Sequence, residues 1–341
     1  NNLSSTYNWS IHSQVGNISL FNPKIFRMMF RMDNISEPET GCLDAPKIFN
    51  YTRCVPYNTT VNLLRQRNIT IIGMDESFPM WMTGAPRQNG EIPYPRNLTS
   101  GSTYMQFLQN YSDAWYTLAS NFTNIDYWEP GNEYNLNSTL KGYNVSDPNK
   151  NPVNFTFDEK INVTLDLMYR AHAAIKQADP NAFIFMPGLA AANKGGKEET
   201  DESSNILLYG IRDFINQTYI NIESGQFPNS TNPSTNPRDY FDGIAYHPYA
   251  RWKGPTVNWD DGNNWTNANK QIYAVIEQHE SQDIPVFFSE YGFADSFYSS
   301  NWNSYANWTF ESINLSINNF PWLWGITWHR LYDIPNSSVY L

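Results

Sequence analysis

Apolar positions along the chain follow two periods that take turns. Short runs that are apolar at nearly every position, or at every second one, stop at Pro, Gly, Asn or a charged residue. These runs, Lys24–Asp33, Ile69–Asp75, Asn124–Pro130, Ala182–Gly188, Phe241–His247, Ile284–Glu290 and Trp322–Trp328, predict seven strands. Between them the spacing lengthens to three and four. Helices are predicted over Thr60–Arg67, Ser102–Asn121, Phe157–Ala178, Ile206–Gln217 and Asn267–Glu280. The third of these carries Ile161, Leu165, Met168 and Ala171–Ile175 on one face and stops at Asp179-Pro180. Long loops rich in Gly, Pro and Asn separate the elements: 34–57 with the two cysteines, 83–98, 135–154, 190–204, 227–238 and 251–265. Residues 1–22 are polar and without clear period, and are read as an extended lead-in. No repeat at a solenoid period is present.

Length suits one large domain, and composition changes what surrounds it. Hydrophobic residues are 40% of the chain and aromatics 16%, whereas charged residues are only 16%. A large core is available, but the surface is poor in charge. Asn-x-Ser/Thr sequons occur at roughly three times the frequency that chance placement would give, among them Asn8, Asn17, Asn34, Asn58, Asn97, Asn121, Asn137, Asn162, Asn216 and Asn307. Such an excess points to an N-glycosylated protein, secreted or at the cell surface. Cys42 and Cys54 agree: twelve residues apart and with no His between them, they are most simply a local disulfide. The net charge of −11 argues against nucleic acid or an anionic membrane as partner. No signal peptide or span of about 18 apolar residues is visible, so the sequence reads as the mature, soluble portion of a secreted protein.

Two strand ends carry the candidate chemistry. The run Asn124–Pro130 breaks at Pro130-Gly131 into a loop with Asn132 and Glu133, and Ile284–Glu290 repeats the design with one carboxylate, an aromatic and a glycine. An amide beside a carboxylate can hold a substrate hydroxyl, and a carboxyl between aromatic walls can give up a proton near neutrality. Two such glutamates suggest the paired carboxylates of a glycosidase. Arg27 and Arg31 share one face of the first strand with Met29 and Asp33. An inward arginine must pair, and the alternative is an edge strand with solvated arginines.

The ordered set of Trp128, Asn132-Glu133, His247-Pro248-Tyr249 and Ser289-Glu290-Tyr291-Gly292 resembles glycoside hydrolase clan A, the retaining TIM-barrel glycosidases. The spacing is most similar to family 39, and Glu76–Met82 is also similar to family 30. The resemblance covers Lys24 to Trp328. One departure stands out, since Tyr134 occupies the place where the clan usually has Pro.

The resemblance implies an α/β fold, a (β/α)8 barrel over residues 23–341. The seven runs would be its strands two to eight. The first is then irregular, within Trp9–Leu20, or lies upstream.

For the site, the resemblance implies Glu133 as acid/base and Glu290 as nucleophile. Asn132 would hold the 2-hydroxyl of the reacting sugar. Arg27, preferred to Arg31, would keep Glu290 ionised and aimed together with His247 and Tyr249. Trp328 would lie under the sugar being cleaved. Trp81 is either a sugar-facing ring or ordinary loop packing, and Trp252, Trp259 and Trp265 are candidate platforms on the rim. The partner implied is a carbohydrate, and no metal or organic cofactor is required. A catalytically idle barrel that serves as a glycan-binding or cell-surface structural protein is the rival reading.

Overall fold

The computed structural model describes residues 23–30, 32, 42–75, 78, 80–83, 94–95, 102–137, 139–144, 146–192, 204–225, 234–249, 254–259, 261–294, 302–328 and 339–340. Each of the seven strand-like runs contains a strand: β1 (Ile25–Met29), β2 (Thr70–Asp75), β3 (Tyr127–Pro130), β4 (Phe183–Ile184), β6 (Ile244–His247), β7 (Val286–Tyr291) and β8 (Leu323–Trp328). A further short strand, β5 (Leu189–Ala190), follows β4 directly. They form two parallel sheets, β1-β2-β3-β4 and β5-β6-β7-β8, joined by a bridge between Phe185 and Gly243. Among the described residues no ladder closes β8 onto β1. The Ile25 side chain nevertheless reaches β8, because a Cβ added to Gly325 would lie 2.6 Å from Ile25 Cδ1.

The strand period decides what faces inward. Ile25, Ile72, Tyr127, Phe183, Phe185, Ala245, Phe287 and Trp324, drawn from around the ring of strands, form one apolar cluster. That is how a barrel fills its interior, with layers of side chains contributed by successive strands. Two residues further along, the same face carries Arg27 on β1, Glu129 on β3, His247 on β6 and Ser289 on β7. A period of two thus lays a polar layer over the apolar one, at the carboxyl ends of the strands. The outer faces pack on helices in two larger clusters.

Helices α2 (Ser102–Asn121) and α3 (Phe157–Ala178) have the predicted bounds. A capping box between Thr156 and Glu159 opens α3. Helices α4 (Ser204–Ser224) and α5 (Trp265–His279) extend or shift the predicted spans, and α6 (Trp302–Asn319) joins β7 to β8.

Helix α1 corrects the sequence reading more. It runs Tyr51–Arg65 rather than from Thr60, and takes in part of the expected loop. Asn50 caps it by accepting from Arg53 N, and Pro56 lies inside the second turn. Cys42 and Cys54 are bonded, but Cys54 sits on this helix and not in a loop, so the disulfide ties the hairpin of Leu43–Ala45 and Ile48–Phe49 to the helix start.

Among the sequons, Asn58 and Asn307 are exposed and Asn137 is half-buried. Asn121 donates to Thr117 O, Asn162 accepts from Asn221, and Asn216 is hydrogen-bonded to His279. Asn8, Asn17, Asn34 and Asn97 lie outside the described residues, as do Trp9–Leu20, Arg31, Asp33, Glu76 and the lead-in. No described helix is long and apolar enough to cross a membrane.

Candidate active site

Glu133 and Glu290 reach the same place by different routes. Glu290 is the fifth residue of β7 and projects from a strand paired on both sides. Glu133 lies three residues past β3, with φ +52°, a left-handed conformation that costs a non-glycine residue of order 1–3 kcal/mol. The loop is pinned to the next strand segment. Glu133 N donates to Gly188 O, Asn132 bridges to Gly188, and Asn135 exchanges two hydrogen bonds with Ala190. Thr139 also caps the carbonyl of Glu133.

Tyr134 explains its own departure from the clan pattern. Its ring folds beneath Gly131, whose φ is +109°, so closely that a Cβ there would lie 2.2 Å from it. The ring stacks on Phe78 and its hydroxyl meets that of Tyr111 at 3.4 Å. An aromatic therefore braces the turn from below. Buried Lys160 adds a second brace by donating to Asn135 O at 3.0 Å, and burial lowers its pKa to about 8.

One oxygen of Glu133, one of Glu290 and a ring nitrogen of His247 lie within 4.8 Å of one another. Tyr249 OH donates to Glu290 Oε2 at 2.7 Å, and Arg27 Nη1 donates to Oε1 at 2.6 Å. Two charge-assisted or hydroxyl donors on one carboxylate favour its ionised form. Burial and then Glu290 push the Tyr249 phenol well above its ordinary value, so it stays a donor. His247 is fully buried. Its Nδ1 is 3.0 Å from Glu133 Oε1 but 3.7 Å from Glu290 Oε2, so it belongs with Glu133 more than with Glu290, unlike the sequence expectation.

The sequence reading gave Arg27 one partner, and the structure gives it three. Arg27 Nε and Nη2 hold both oxygens of Glu129, at 2.6 and 3.1 Å, and Nη2 also donates to Asn132 Oδ1 at 2.7 Å. Burial would lower the guanidinium pKa, but Glu129 and Glu290 overcome this and raise it. Glu129 is wholly buried and was missed. A signal existed: it shares the inward face with Tyr127, at the height where Arg27 needs a counter-charge. Its Oε1 also accepts from Gly188 N at 2.7 Å and from Ser289 Oγ at 3.0 Å.

The aromatic expectations divide. Trp328 sits half-buried on β8 with its ring edge-on to Tyr291, beside the strand of Glu290. Trp81, half-buried in the short helix Met80–Thr83, packs against a core cluster, which favours the packing alternative. Trp259 and Trp265 are not rim platforms. Both are buried in the core, and Trp265 N–H donates to Pro248 O beneath the His247-Pro248-Tyr249 turn. Trp252 lies outside the described residues.

No protein-family model matches the sequence, and no curated protein is similar to it. Solved structures match in fold. A family 39 glycoside hydrolase from Bacteroides cellulosilyticus is 16% identical, with 97% of this chain and 56% of that one covered and a TM-score of 0.57. This chain thus spans little more than half of that protein's length. A β-glucosidase from Exiguobacterium marinum is 13% identical over 97% of this chain and 79% of its own, with a TM-score of 0.60. A β-glucosidase from Thermotoga maritima, solved with castanospermine, is 12% identical over 97% and 80%, also with a TM-score of 0.60. These are TIM-barrel glycoside hydrolases of clan A, and the chain shares their α/β barrel fold, as the sequence resemblance implied.

Proposed function

We propose that this protein is an extracellular retaining β-glycosidase acting on a β-linked polysaccharide or oligosaccharide of β-glucan, mannan or xylan type. The observation that carries the reading is the approach of Glu133 and Glu290, one carboxylate oxygen of each lying within 4.8 Å of the other. Retaining enzymes need carboxyl groups about 5–5.5 Å apart, whereas inverting ones leave room for a water at about 6.5–9.5 Å.

Glu290, paired with Arg27 and Tyr249, attacks the anomeric carbon and forms a glycosyl-enzyme. Glu133 protonates the departing glycosidic oxygen and then takes a proton from the water that releases the sugar. Asn132, fixed by Arg27, faces the 2-hydroxyl, and Trp328 supplies the ring beneath the sugar. The glycosidases named above share the fold and support the class of reaction. The Cys42–Cys54 disulfide and the sequon excess support an oxidising, glycosylating compartment.

The test is incubation with a panel of β-linked polysaccharides and aryl β-glycosides from acid to neutral pH, beside Glu290→Gln. Turnover by the parent and not the variant is expected. Silence across the panel, with binding to one polysaccharide, would instead establish an idle glycan-binding barrel.

A further inference from the structure

Hydrogen-bond accounting around Gly188 fixes more than the position of Glu133. Glu129 Oε1 accepts from Gly188 N, Arg27 Nη2 and Ser289 Oγ, while Oε2 accepts from Arg27 Nε. Gly188 N and the two Arg27 nitrogens can only donate, and two of these three already occupy Oε1, so that oxygen has no hydrogen to give and Ser289 spends its single hydroxyl hydrogen on it. Ser289 Oγ lies 3.1 Å from His247 Nε2 and can only accept there. The hydrogen on that side of the imidazole is therefore on Nε2. The opposite nitrogen, Nδ1, faces Glu133 Oε1 at 3.0 Å.

We propose that Glu129, acting through Ser289, holds His247 with its hydrogen on Nε2, so that Glu133 and His247 Nδ1 keep one proton between them. This rests on the reading of Glu133 as acid/base and makes the acid a Glu133–His247 pair rather than a lone carboxyl. With no proton shared, a carboxylate oxygen would confront an imidazole lone pair at hydrogen-bond distance. With one, the pair is either a protonated Glu133 on a neutral ring or an ionised Glu133 on an imidazolium. The proton leaves with the glycosidic oxygen in the first half-reaction and returns from water in the second.

The charged and titratable groups around the ring, Glu133, Glu290, Glu129, Arg27 and Tyr249, come from four segments, β1, β3 with its exit turn, the end of β6, and β7. Burial alone would lower the imidazole pKa, but Glu290 and Glu133 raise it despite the opposing charge of Arg27. Space agrees with the relay. A Cβ on Gly188 would lie 2.3 Å from His247 Nε2, 2.5 Å from Ser289 Oγ and 2.6 Å from Glu129 Oε1, so the three groups converge where any side chain would separate them. Glu129 and Ser289 are positioning residues in this scheme, since neither touches substrate.

The experiment is 15N NMR of the full chain with labelled histidine, His247 being identified among five histidines by its loss in His247→Gln. Nε2 should carry hydrogen throughout the titration, with Nδ1 the nitrogen that changes; a neutral ring bearing hydrogen on Nδ1 and a bare Nε2 overturns the proposal. In Ser289→Ala the tautomer preference should be lost, and an unchanged tautomer overturns the relay through Ser289. In the isosteric Glu133→Gln variant the Nδ1 midpoint should fall by about one pH unit or more, and an unmoved midpoint overturns the shared proton. None of these readouts requires turnover. If they hold and no β-glycoside is hydrolysed, the pair stands and the proposed reaction falls.

Discussion

Glu290 and Glu133 show two ways of aiming a carboxylate. Glu290 is aimed by its strand, with β6 and β8 paired on either side and Arg27 and Tyr249 on its oxygens. Glu133 is aimed by a turn that must be forced into shape, with Gly131 and Glu133 both at positive φ, Tyr134 wedged below and Gly188 fastened above. Strand placement is over-determined by the sheet, whereas turn placement depends on a few braces outside the two glutamates. Distant substitutions should therefore disable Glu133 while sparing Glu290.

The largest effects come from the glutamates themselves. Glu290→Gln should lower kcat on the order of 10³-fold or more for every substrate. Glu133→Gln should cost about 10²- to 10⁴-fold with sugar leaving groups, and much less with a nitrophenyl glycoside, whose leaving group needs little proton donation. Equal losses on both substrate types would end the distinction between the two roles.

Gly131→Ala comes next, because it adds a methyl against the Tyr134 ring at a φ of +109°. A loss of about 2 kcal/mol in stability should accompany the same leaving-group pattern as Glu133→Gln. An activated 2-fluoroglycoside should still label Glu290 in this variant; failure to label would mean that the turn supports both carboxylates.

Removing the Cys42–Cys54 link with paired serines serves as a control away from both sites. It should destabilise the fold by about 3 kcal/mol, visible as a lower Tm, with kcat of the folded fraction unchanged.

Lys160→Met removes one brace of the turn and should lower turnover with sugar leaving groups more than with activated ones. It also carries a pH signature. The folded-state pKa of Lys160 is lowered by burial to about 8 from 10.5, so between these values the unfolded chain binds the extra proton. The stability of the parent should rise relative to Lys160→Met as pH increases across that window, and parallel denaturation curves there would contradict the assignment. The smallest effect belongs to Tyr134→Phe, which keeps the ring and removes the hydroxyl that meets Tyr111 at 3.4 Å. At most about 1 kcal/mol is at stake, because the ring is what props Gly131.

Much of this was legible in the chain. The alternation of periods located the strands and the bounds of α2 and α3, and two strand-end glutamates stood out because a carboxylate rarely closes an apolar run. What escaped detection depended on partners distant in sequence. Glu129 looks like one polar residue in an aromatic strand until Arg27, 102 positions away, is placed opposite it. Trp265 follows a polar loop and reads as a rim residue, but the Asn264 cap starts a helix that turns it inward. Pro56 normally signals a break, yet α1 runs through it with Asn50 and Leu64 anchoring its two ends. His247 was legible as a site residue, but its closer alliance with Glu133 required the geometry of a loop that sequence does not encode locally.

The asparagine caps have a further consequence. Asn50 and Asn264 open α1 and α5 by presenting side-chain oxygens to the backbone, and both begin sequons. An N-linked sugar attaches to the amide nitrogen and leaves that oxygen free, so capping and modification are chemically compatible on one side chain. In a barrel of this topology the helices begin at the end where the strands deliver their catalytic residues. Were Asn50 and Asn264 glycosylated, their sugars would stand at that same end of the barrel, as a fence of variable height. Trimming them enzymatically should speed attack on long chains while leaving short oligosaccharides untouched.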